Sequence, residues 1–219
     1  MRTNVLQALH GPFGAMLVDP PWQFMNRTGK VAPEHKRLHR YRTMTFGEIG
    51  ALRVPDLAAP KSHLYLWTPN ALLAQALDII RIWGFTYKTN IVWYKVRKDG
   101  GPDGRGVGFY FRNVTELLLF GVRGGLRTLA PGRRQVNVIV SRKQEHSRKP
   151  DSVHDLIRQC SPGPYLELFA RERVAGWTQW GDEVDTYSST RPVRKGYTRL
   201  NGNGSTGIQQ LTAQVAAAL

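Results

Sequence analysis

The sequence contains little cysteine, no long apolar run and no histidine spacing typical of a metal site. Its single cysteine, Cys160, excludes an internal disulfide and a zinc site built from cysteines. No apolar stretch approaches the roughly 18–20 residues that a membrane-spanning helix needs, and no signal peptide is visible. The six histidines show no HExxH-like spacing. We therefore expect a cytoplasmic protein without membrane association or a metal, whose thiol stays reduced.

Acidic residues are also scarce. The 219 residues contain 16 Asp and Glu against 31 Lys and Arg, which gives a formal net charge of +15. Such an excess favours a polyanionic partner, with nucleic acid first and an anionic membrane surface second. Hydrophobic residues nevertheless make up 41% of the chain, which is enough to bury a core and excludes a wholly disordered basic protein.

The composition of the chain changes near residue 186. Residues 187–219 contain four basic and no acidic side chains among many Ser, Thr, Gly and Asn, as is typical of a flexible tail. The preceding residues have the length and apolar content of one domain. We predict one folded domain over 1–186 and a basic, flexible tail over 187–219, with loops at 23–42 and 97–108.

Strand and helix signals alternate within the folded part. Short apolar runs predict strands at 15–19, 62–67, 85–94, 114–122, 136–140 and 165–170. Thr45 with Glu48 predicts the capped start of a short helix, Asn70 and Gly84 predict the two ends of a second, and Pro150 opens a third. The alternation indicates an α/β sheet covered on both faces, whose ligand binds at the carboxyl ends of the strands.

The first predicted strand ends in the segment Asp19-Pro20-Pro21-Trp22. The two prolines fix both φ angles and remove two N–H donors, so the carbonyls of Asp19 and Pro20 are able to accept from an outside donor. The Asp19 carboxylate adds a third acceptor, and Trp22 offers a flat aromatic surface. Together they suit a flat group that carries an amine, such as the edge of a nucleobase. The alternative is a rigid turn that ends a core strand.

Further sequence blocks follow this motif in order. They are Tyr41-Arg42-Thr43-Met44, Leu66-Trp67, Trp83-Gly84, Ile91 with Trp93 and Lys95, Lys149-Pro150-Asp151, Ser161-Pro162-Gly163, Glu167-Leu168-Phe169-Ala170-Arg171, Trp177 and Gly181. With these blocks, residues 11–183 resemble the MT-A70-like family of adenine-N6 methyltransferases, which includes the catalytic subunit of the eukaryotic mRNA N6-adenosine methyltransferase. The resemblance implies a Rossmann-like, S-adenosylmethionine-dependent methyltransferase fold with permuted motif order, in which the catalytic motif precedes the cofactor-binding strand.

The resemblance implies methyl transfer from S-adenosylmethionine to the exocyclic N6 amine of adenine. That amine is a poor nucleophile because its lone pair is delocalised into the ring. By resemblance, Asp19 and the Pro20 carbonyl accept its two N–H bonds and expose the lone pair, Pro21 completes the motif, and Trp22 stacks on or borders the base. Holding the nitrogen in line with the methyl group supplies much of the acceleration. A base in a duplex must first be flipped out of the stack.

The resemblance also implies a set of cofactor-binding residues. Glu167 and Arg171 match positions beside the ribose, and Lys149 matches a position that contacts the methionine carboxylate, a role that suits a cation. Asp182 and Glu183 stand where the eukaryotic relatives have amides that touch the adenosine part. Ordinary surface charge is the alternative for Lys149 and Arg171, and a buried ion pair is the alternative for Glu167.

Several conspicuous residues are assigned no chemistry. The glycine-rich segment 104–108 follows no apolar strand, so a mobile loop is favoured over a cofactor-binding loop. His154 is predicted to be a surface or packing residue, and Glu116 is at most part of a pocket wall. Cys160 is expected to be a small buried side chain.

Positive charge is concentrated directly after the motif. Residues 27–42 carry six basic side chains and one acid, so we expect them to contact phosphates rather than to form only a solvated surface. The expected nucleic-acid-binding residues are Arg27, Lys30, Lys36, Arg37, Arg40, Tyr41 and Arg42.

We expect DNA to be the substrate, because the short chain lacks the additional domains of the eukaryotic RNA enzymes. One alternative is RNA, and another is a catalytically silent subunit that binds nucleic acid, although the intact motif argues against it. Methylation of another amine, in cytosine or a small molecule, is a third. Because a monomer of this size has little surface beyond its catalytic core, a homodimer or a partner subunit stays an open alternative.

Overall fold

The computed structural model describes residues 9–23, 43–104, 110–142, 148–181 and 184, and within them seven strands form one sheet. The strands are β1 (Phe13–Val18), β2 (Ala58–Thr68), β3 (Thr86–Val96), β4 (Thr115–Arg123), β5 (Val138–Arg142), β6 (Tyr165–Leu168) and β7 (Trp177–Trp180). The helices are α1 (Phe46–Gly50), α2 (Val54–Leu57), α3 (Leu73–Ile82) and α4 (Ser152–Cys160), with 3-10 turns at Asn70–Leu72 and Ala130–Arg134.

The sheet is mixed, with the strand order β5-β3-β4-β2-β1-β6-β7. β1 pairs in parallel with β2 and β6, β6 pairs in parallel with β7, and β3 pairs in parallel with β5. β4 is antiparallel to both of its neighbours, β2 and β3. The predicted α/β architecture is confirmed, with one reversed strand that the apolar pattern did not reveal.

β1 lies between two hydrophobic clusters, and all six of its residues are buried. Met16 and Val18 point to the side where α1 and α3 pack, whereas Ala15 and Leu17 point to the side of α4. Successive side chains of a strand face opposite sides of the sheet, so an apolar run without alternation is what a strand covered on both faces requires. The predicted coverage of both faces is confirmed at this strand.

Of the four predicted helix ends, Thr45 and Gly84 follow their local signals, Asn70 does not, and Pro150 lies two residues before α4 begins at Ser152. The backbone N–H of Glu48 donates to the Thr45 hydroxyl, and the Glu48 carboxylate accepts from the Thr45 backbone at 2.7 Å, so the predicted capping box is confirmed. Gly84 follows α3 with a φ of 75°, in the left-handed region that favours glycine. The prediction for Asn70 is wrong, because its amide donates to the Thr115 carbonyl at 3.2 Å and so ties the turn to β4.

β7 is the strand that the sequence signals missed. It has only four residues, two of them polar, and it lies at the edge of the sheet, so it lacks the apolar run of a central strand. The other strands fall within four residues of their predicted bounds. No helix among the described residues is long and apolar enough to cross a membrane. The tail 187–219 lies outside the described residues, so the division of the chain near residue 186 stays a prediction.

Candidate active site

Four charged side chains gather at the carboxyl edge of the central strands. Asp19 directly follows β1, and Lys149 lies shortly before α4. Because β4 runs against its neighbours, its first residues lie at the edge where β2 and β3 end. Glu116 is therefore close to Lys95, near the end of β3, and both reach the edge that Asp19 occupies. The topology thus unites residues that are up to 130 positions apart in the chain.

These side chains form a continuous chain of ion pairs. Lys149 Nζ lies 3.2 Å from Asp19 Oδ1 and 2.7 Å from Glu116 Oε1. Lys95 Nζ lies 2.8 Å from Glu116 Oε2. The four side chains are only 16–22% exposed, so water screens their interactions weakly. We refer to Asp19, Lys149, Glu116 and Lys95 as the charge chain.

Burial and neighbouring charges compete in setting the pKa of each acid in the charge chain. Burial raises the pKa of Asp19 and Glu116 raises it further, and the opposing effects of Lys149 and Arg171 do not cancel this rise. For Glu116, burial also raises the pKa, but Lys149 and Lys95 outweigh it and lower the pKa to about 2. Glu116 is therefore ionised at neutral pH, whereas Asp19 is the carboxylate that takes up a proton more readily.

Lys149 is a cation held between two carboxylates. Burial alone lowers its pKa, but Asp19 and Glu116 outweigh burial and raise it. Its ammonium group also lies 5.3 Å from the centre of the Trp67 ring, within cation–π range. Lys149 is thus charged at neutral pH, as a residue that binds a carboxylate must be.

The backbone of the Asp-Pro-Pro-Trp segment is fixed by hydrogen bonds. The Pro20 carbonyl accepts from the Trp22 N–H at 2.8 Å, and the Pro21 carbonyl accepts from the Met44 N–H at 2.8 Å. The Gln23 N–H donates to the Met44 carbonyl at 3.1 Å. The sequence suggested that the Pro20 carbonyl has no partner within the protein, whereas in the structure it accepts from Trp22. A carbonyl oxygen nevertheless has a second lone pair, which can accept from a substrate.

Trp22 corrects an expectation from the sequence. Its side chain is only 7% exposed, belongs to the main hydrophobic cluster and donates from Nε1 to the Trp67 carbonyl at 2.9 Å. The ring is thus used to attach the motif to β2, and it does not present an exposed face on which a base could stack. Local sequence could not show this, because the partner of the indole N–H lies 45 positions away.

A cleft opens beside the charge chain, along the ends of β1 and β6 and the start of α4. Its lining includes Leu17, Asp19, Trp67, Arg148, Lys149, Pro150, Val153, His154, Glu167, Phe169, Arg171 and Glu172. The structure therefore places three of the predicted cofactor residues, Lys149, Glu167 and Arg171, around one space with Asp19. Asp182, Glu183 and every expected nucleic-acid-binding residue from Arg27 to Arg42 lie outside the described residues, so those expectations stay predictions.

Glu167 is held from two sides. Its Oε2 contacts His154 Nε2 at 3.0 Å and accepts from Gln179 Nε2 at 2.7 Å. The ring of His154 also packs edge-on against Trp177, at 4.9 Å between ring centres. Of the two roles predicted for His154, surface or packing, the structure shows packing, and the side chain also fixes a carboxylate that lines the cleft. Gln179 belongs to β7, so the missed strand supplies part of the site.

The loop after β6 has an unusual backbone. Phe169 has a φ of 66°, which for a bulky residue costs on the order of 1–3 kcal/mol and persists only where neighbours enforce it. Gly181 packs so tightly behind it that an added Cβ would come within 2.3 Å of the Ala170 carbonyl oxygen. This packing explains why a glycine stands there, and Phe169 and Arg171 of the same loop line the cleft.

Comparison with known proteins identifies the family. The family model for MT-A70 matches residues 13–183, well over half of the chain. The chain belongs to the MT-A70 family. Membership confirms the resemblance and the Rossmann-like methyltransferase fold class, and it makes S-adenosylmethionine the implied methyl donor.

The match to this MT-A70 protein covers very different shares of its individual relatives. The Type II methyltransferase M.MunI from Mycoplasma sp is 28% identical over 188 residues, which are 78% of this chain and 78% of that protein. The N6-methyladenosine RNA methyltransferase MTA1 of Pyricularia oryzae is 32% identical over 84% of this chain and 50% of its own length. Human N(6)-adenosine-methyltransferase catalytic subunit METTL3 is 27% identical over 80% of this chain and 29% of its own. The chain spans half or less of these last two relatives.

The residues of the cleft fit S-adenosylmethionine. That molecule carries a carboxylate, an amine, ribose hydroxyls and a sulfonium. The cleft offers Lys149 and Arg171 for the carboxylate or hydroxyls, and Glu167 and Asp19 for the positive and hydroxyl groups. An ammonium group has three donors, and Lys149 contacts two carboxylates among the described residues, so a third donor can serve a ligand.

Proposed function

We propose that this protein transfers a methyl group from S-adenosylmethionine to the N6 amine of adenine in nucleic acid, with DNA preferred over RNA. The observation that carries the proposal is a half-buried carboxylate of the Asp-Pro-Pro-Trp segment in a cleft that also contains Lys149, Glu167 and Arg171. In this proposal Asp19 and Pro20 of the catalytic segment contact adenine, Pro21 and the buried Trp22 hold that segment in place, and Lys149, Glu167, Arg171, Asp182 and Glu183 bind the cofactor.

The residues of the site would each perform a defined task. Bound in the cleft, S-adenosylmethionine supplies a methyl group that is already activated by its sulfonium. Asp19 and the second lone pair of the Pro20 carbonyl accept the N–H bonds of adenine and direct the nitrogen lone pair away from them. Because burial raises the pKa of Asp19, its carboxylate is also suited to receive the proton that the amine must lose as the N–C bond forms and the S–C bond of the methyl donor breaks, which would release S-adenosylhomocysteine.

Exposed aromatic residues at the same edge support a nucleic-acid substrate. Tyr110 and Phe111 are 95% and 85% exposed. They precede Asn113, whose side chain accepts from Asn70 at 3.3 Å, which places the segment next to the end of β2. Aromatic side chains at such a position suit stacking on bases beside the target, worth about 1–3 kcal/mol per base.

The proposed preference for DNA rests on the match to the Type II methyltransferase M.MunI, because net charge does not distinguish DNA from RNA. The protein and the Type II methyltransferase M.MunI cover equal shares of each other, whereas the relatives named for adenosine or RNA extend well beyond the match. A net charge of +15 suits either polyanion. A homodimer or a partner subunit would add surface for reading a sequence, and we retain it as a part of the proposal that the mass measured by analytical ultracentrifugation with and without DNA would test.

The test is methyl transfer in vitro. Purified protein is incubated with S-adenosylmethionine carrying an isotope-labelled methyl group and with single- or double-stranded DNA and RNA of mixed sequence. We expect labelled N6-methyldeoxyadenosine by nucleoside mass spectrometry, and more slowly labelled N6-methyladenosine. Faster labelling of RNA would overturn the DNA preference, and labelling of cytosine would overturn the choice of base.

A silent, nucleic-acid-binding subunit is the competing function. It predicts no labelled adenine in any substrate and no binding of S-adenosylmethionine in calorimetry, although nucleic acid would still bind. The intact charge chain around Asp19 favours the enzyme, because a subunit without chemistry has no need of a buried cation against that carboxylate.

A further inference from the structure

We propose that Lys95 and Glu116 are positioning residues that hold Lys149 against Asp19. This role deepens the proposed function, because it concerns the same site, and neither residue has been assigned a part in the chemistry above. The two residues act in series. Lys95 fixes Glu116, Glu116 fixes Lys149, and Lys149 is the group that touches Asp19.

The register of the sheet builds this arrangement. Glu116 pairs with Trp93 across β4 and β3, so the nearby Lys95 projects from the same edge. The ammonium of Lys95 lies 4.5 Å from the centre of the Trp93 ring, as that of Lys149 lies 5.3 Å from the Trp67 ring. Each lysine thus rests on a tryptophan and donates to the same carboxylate from opposite sides. At 17% exposure, Lys95 faces the protein interior rather than a phosphate.

The order of the four charged groups determines how Lys95 influences Asp19. Along the charge chain positive and negative groups alternate, so their net charge is zero at an edge that water solvates only weakly. Lys149 is the member of the charge chain that contacts Asp19, at 3.2 Å, and Lys95 contacts Glu116 at 2.8 Å. The contacts that connect Lys95 to Asp19 therefore run through Glu116 and Lys149.

This arrangement makes opposite predictions for the two residues. Glu116→Gln leaves Lys149 with Asp19 as its one carboxylate, so the pKa of Asp19 falls. Lys95→Met leaves Glu116 to compete alone for Lys149, so the pKa of Asp19 rises. In the double variant Glu116→Gln/Lys95→Met the carboxylate that connects Lys95 to Lys149 is gone, so Lys95→Met shifts the pKa of Asp19 much less than it does in the wild-type background.

The experiment is a titration of Asp19 in the cofactor-free protein. Aspartate carboxyl carbons are labelled with carbon-13, the Asp19 signal is assigned with Asp19→Asn, and its midpoint is measured in the four backgrounds. Lys88→Met on the same strand is the matched control and should leave the midpoint unchanged. Lys95→Arg keeps the charge and should leave the midpoint near its wild-type value. Lys95→Gln, which also removes the charge, replaces Lys95→Met if that variant does not fold.

The possible results are distinct. Opposite shifts, with an effect of Lys95→Met that is much smaller in the Glu116→Gln background than in wild type, support the series. Equal effects of Lys95→Met in both backgrounds would overturn it, because Lys95 would then act independently, as a phosphate-binding lysine does. The titration does not depend on methyl transfer. A result that overturns the positioning role is therefore distinguishable from a result that overturns the proposed activity. In active protein we expect kcat to fall by up to about 100-fold in Glu116→Gln, with little change in KM for nucleic acid.

Discussion

At the residue scale, the Asp-Pro-Pro-Trp segment divides its work between chemistry and support. Asp19 faces the cleft, whereas Trp22 is buried and binds the Trp67 carbonyl. The prolines stiffen the link between them, and their carbonyls are fixed by hydrogen bonds to Trp22 and Met44. One residue of the motif is therefore expected to control activity, and another is expected to control stability.

The first prediction separates chemistry from cofactor binding. Asp19→Asn keeps the shape of the side chain but removes its charge and its capacity to take up a proton. We expect methyl transfer to fall by at least about 100-fold, while calorimetry still detects S-adenosylmethionine through the other cleft residues. Asp56→Asn, an exposed acid paired with Arg53, is the control and should retain full activity. Unchanged turnover in Asp19→Asn would remove Asp19 from the mechanism.

The second prediction concerns Trp22. Trp22→Ala creates a cavity in the core and should lower the free energy of unfolding by about 3–5 kcal/mol. Trp22→Phe, which chiefly removes the hydrogen bond to the Trp67 carbonyl, should lower it by about 1–3 kcal/mol. Both are measured by urea unfolding, with Tyr110→Ala as an exposed aromatic control that leaves stability unchanged. A stable Trp22→Ala variant with weakened base binding would restore the stacking role that the sequence suggested.

At the element scale, α4, β6 and β7 together build one wall of the cleft. His154 of α4 and Gln179 of β7 both contact Glu167 of β6. Helix and strands are thus joined by a shared carboxylate as well as by apolar packing. Arg148 and Glu172 form an ion pair at 3.1 Å and line the same cleft as His154 and Glu167.

The third prediction is a pH dependence of stability at His154. Burial lowers its pKa, but the hydrogen bond and charge of Glu167, together with Glu172, outweigh burial and raise it. A raised pKa in the folded state contributes stability that is fully present below the unfolded value of about 6.5. That contribution is lost as the pH rises through the higher folded value.

The comparison that measures this effect is wild type against His154→Gln. Their difference in unfolding free energy should be larger at pH 5.5 than at pH 8, by on the order of 1–2 kcal/mol. The loss of packing against Trp177 adds a part that does not vary with pH. A difference that is constant or grows with pH would contradict the assignment of a charged His154–Glu167 pair.

At the scale of the whole molecule, the excess positive charge is expected to bind the substrate while the charge chain stays neutral overall. The expected phosphate-binding segment 27–42 carries six basic residues and follows the catalytic motif. Lys95 shows that a basic residue near the active edge need not belong to this surface, because it pairs inward with Glu116.

The fourth prediction tests where the charge acts. Lys36→Gln/Arg37→Gln should weaken DNA binding about equally for all sequences and reduce the slope of log affinity against log salt by roughly 1.8, at about 0.9 per phosphate. The control Arg81→Gln/Lys88→Gln also removes two positive charges, but at the edge of the sheet opposite Asp19, where α3 ends and β3 begins. Binding is measured by fluorescence anisotropy across salt concentrations. Equal loss in both variants would indicate a purely long-range effect of net charge.

The sequence by itself determined the α/β class, most strand positions, the capping box at Thr45 and the family, since these depend on local patterns and short motifs. It also identified Lys149, Glu167 and Arg171, which the fold brings into one cleft. It could not identify β7, the buried position of Trp22, or the roles of Lys95 and Glu116. Those depend on which strand lies beside which and in which direction, and the reversal of β4 is decided by tertiary packing. A buried ion pair between residues far apart in the chain exists only once that packing has formed.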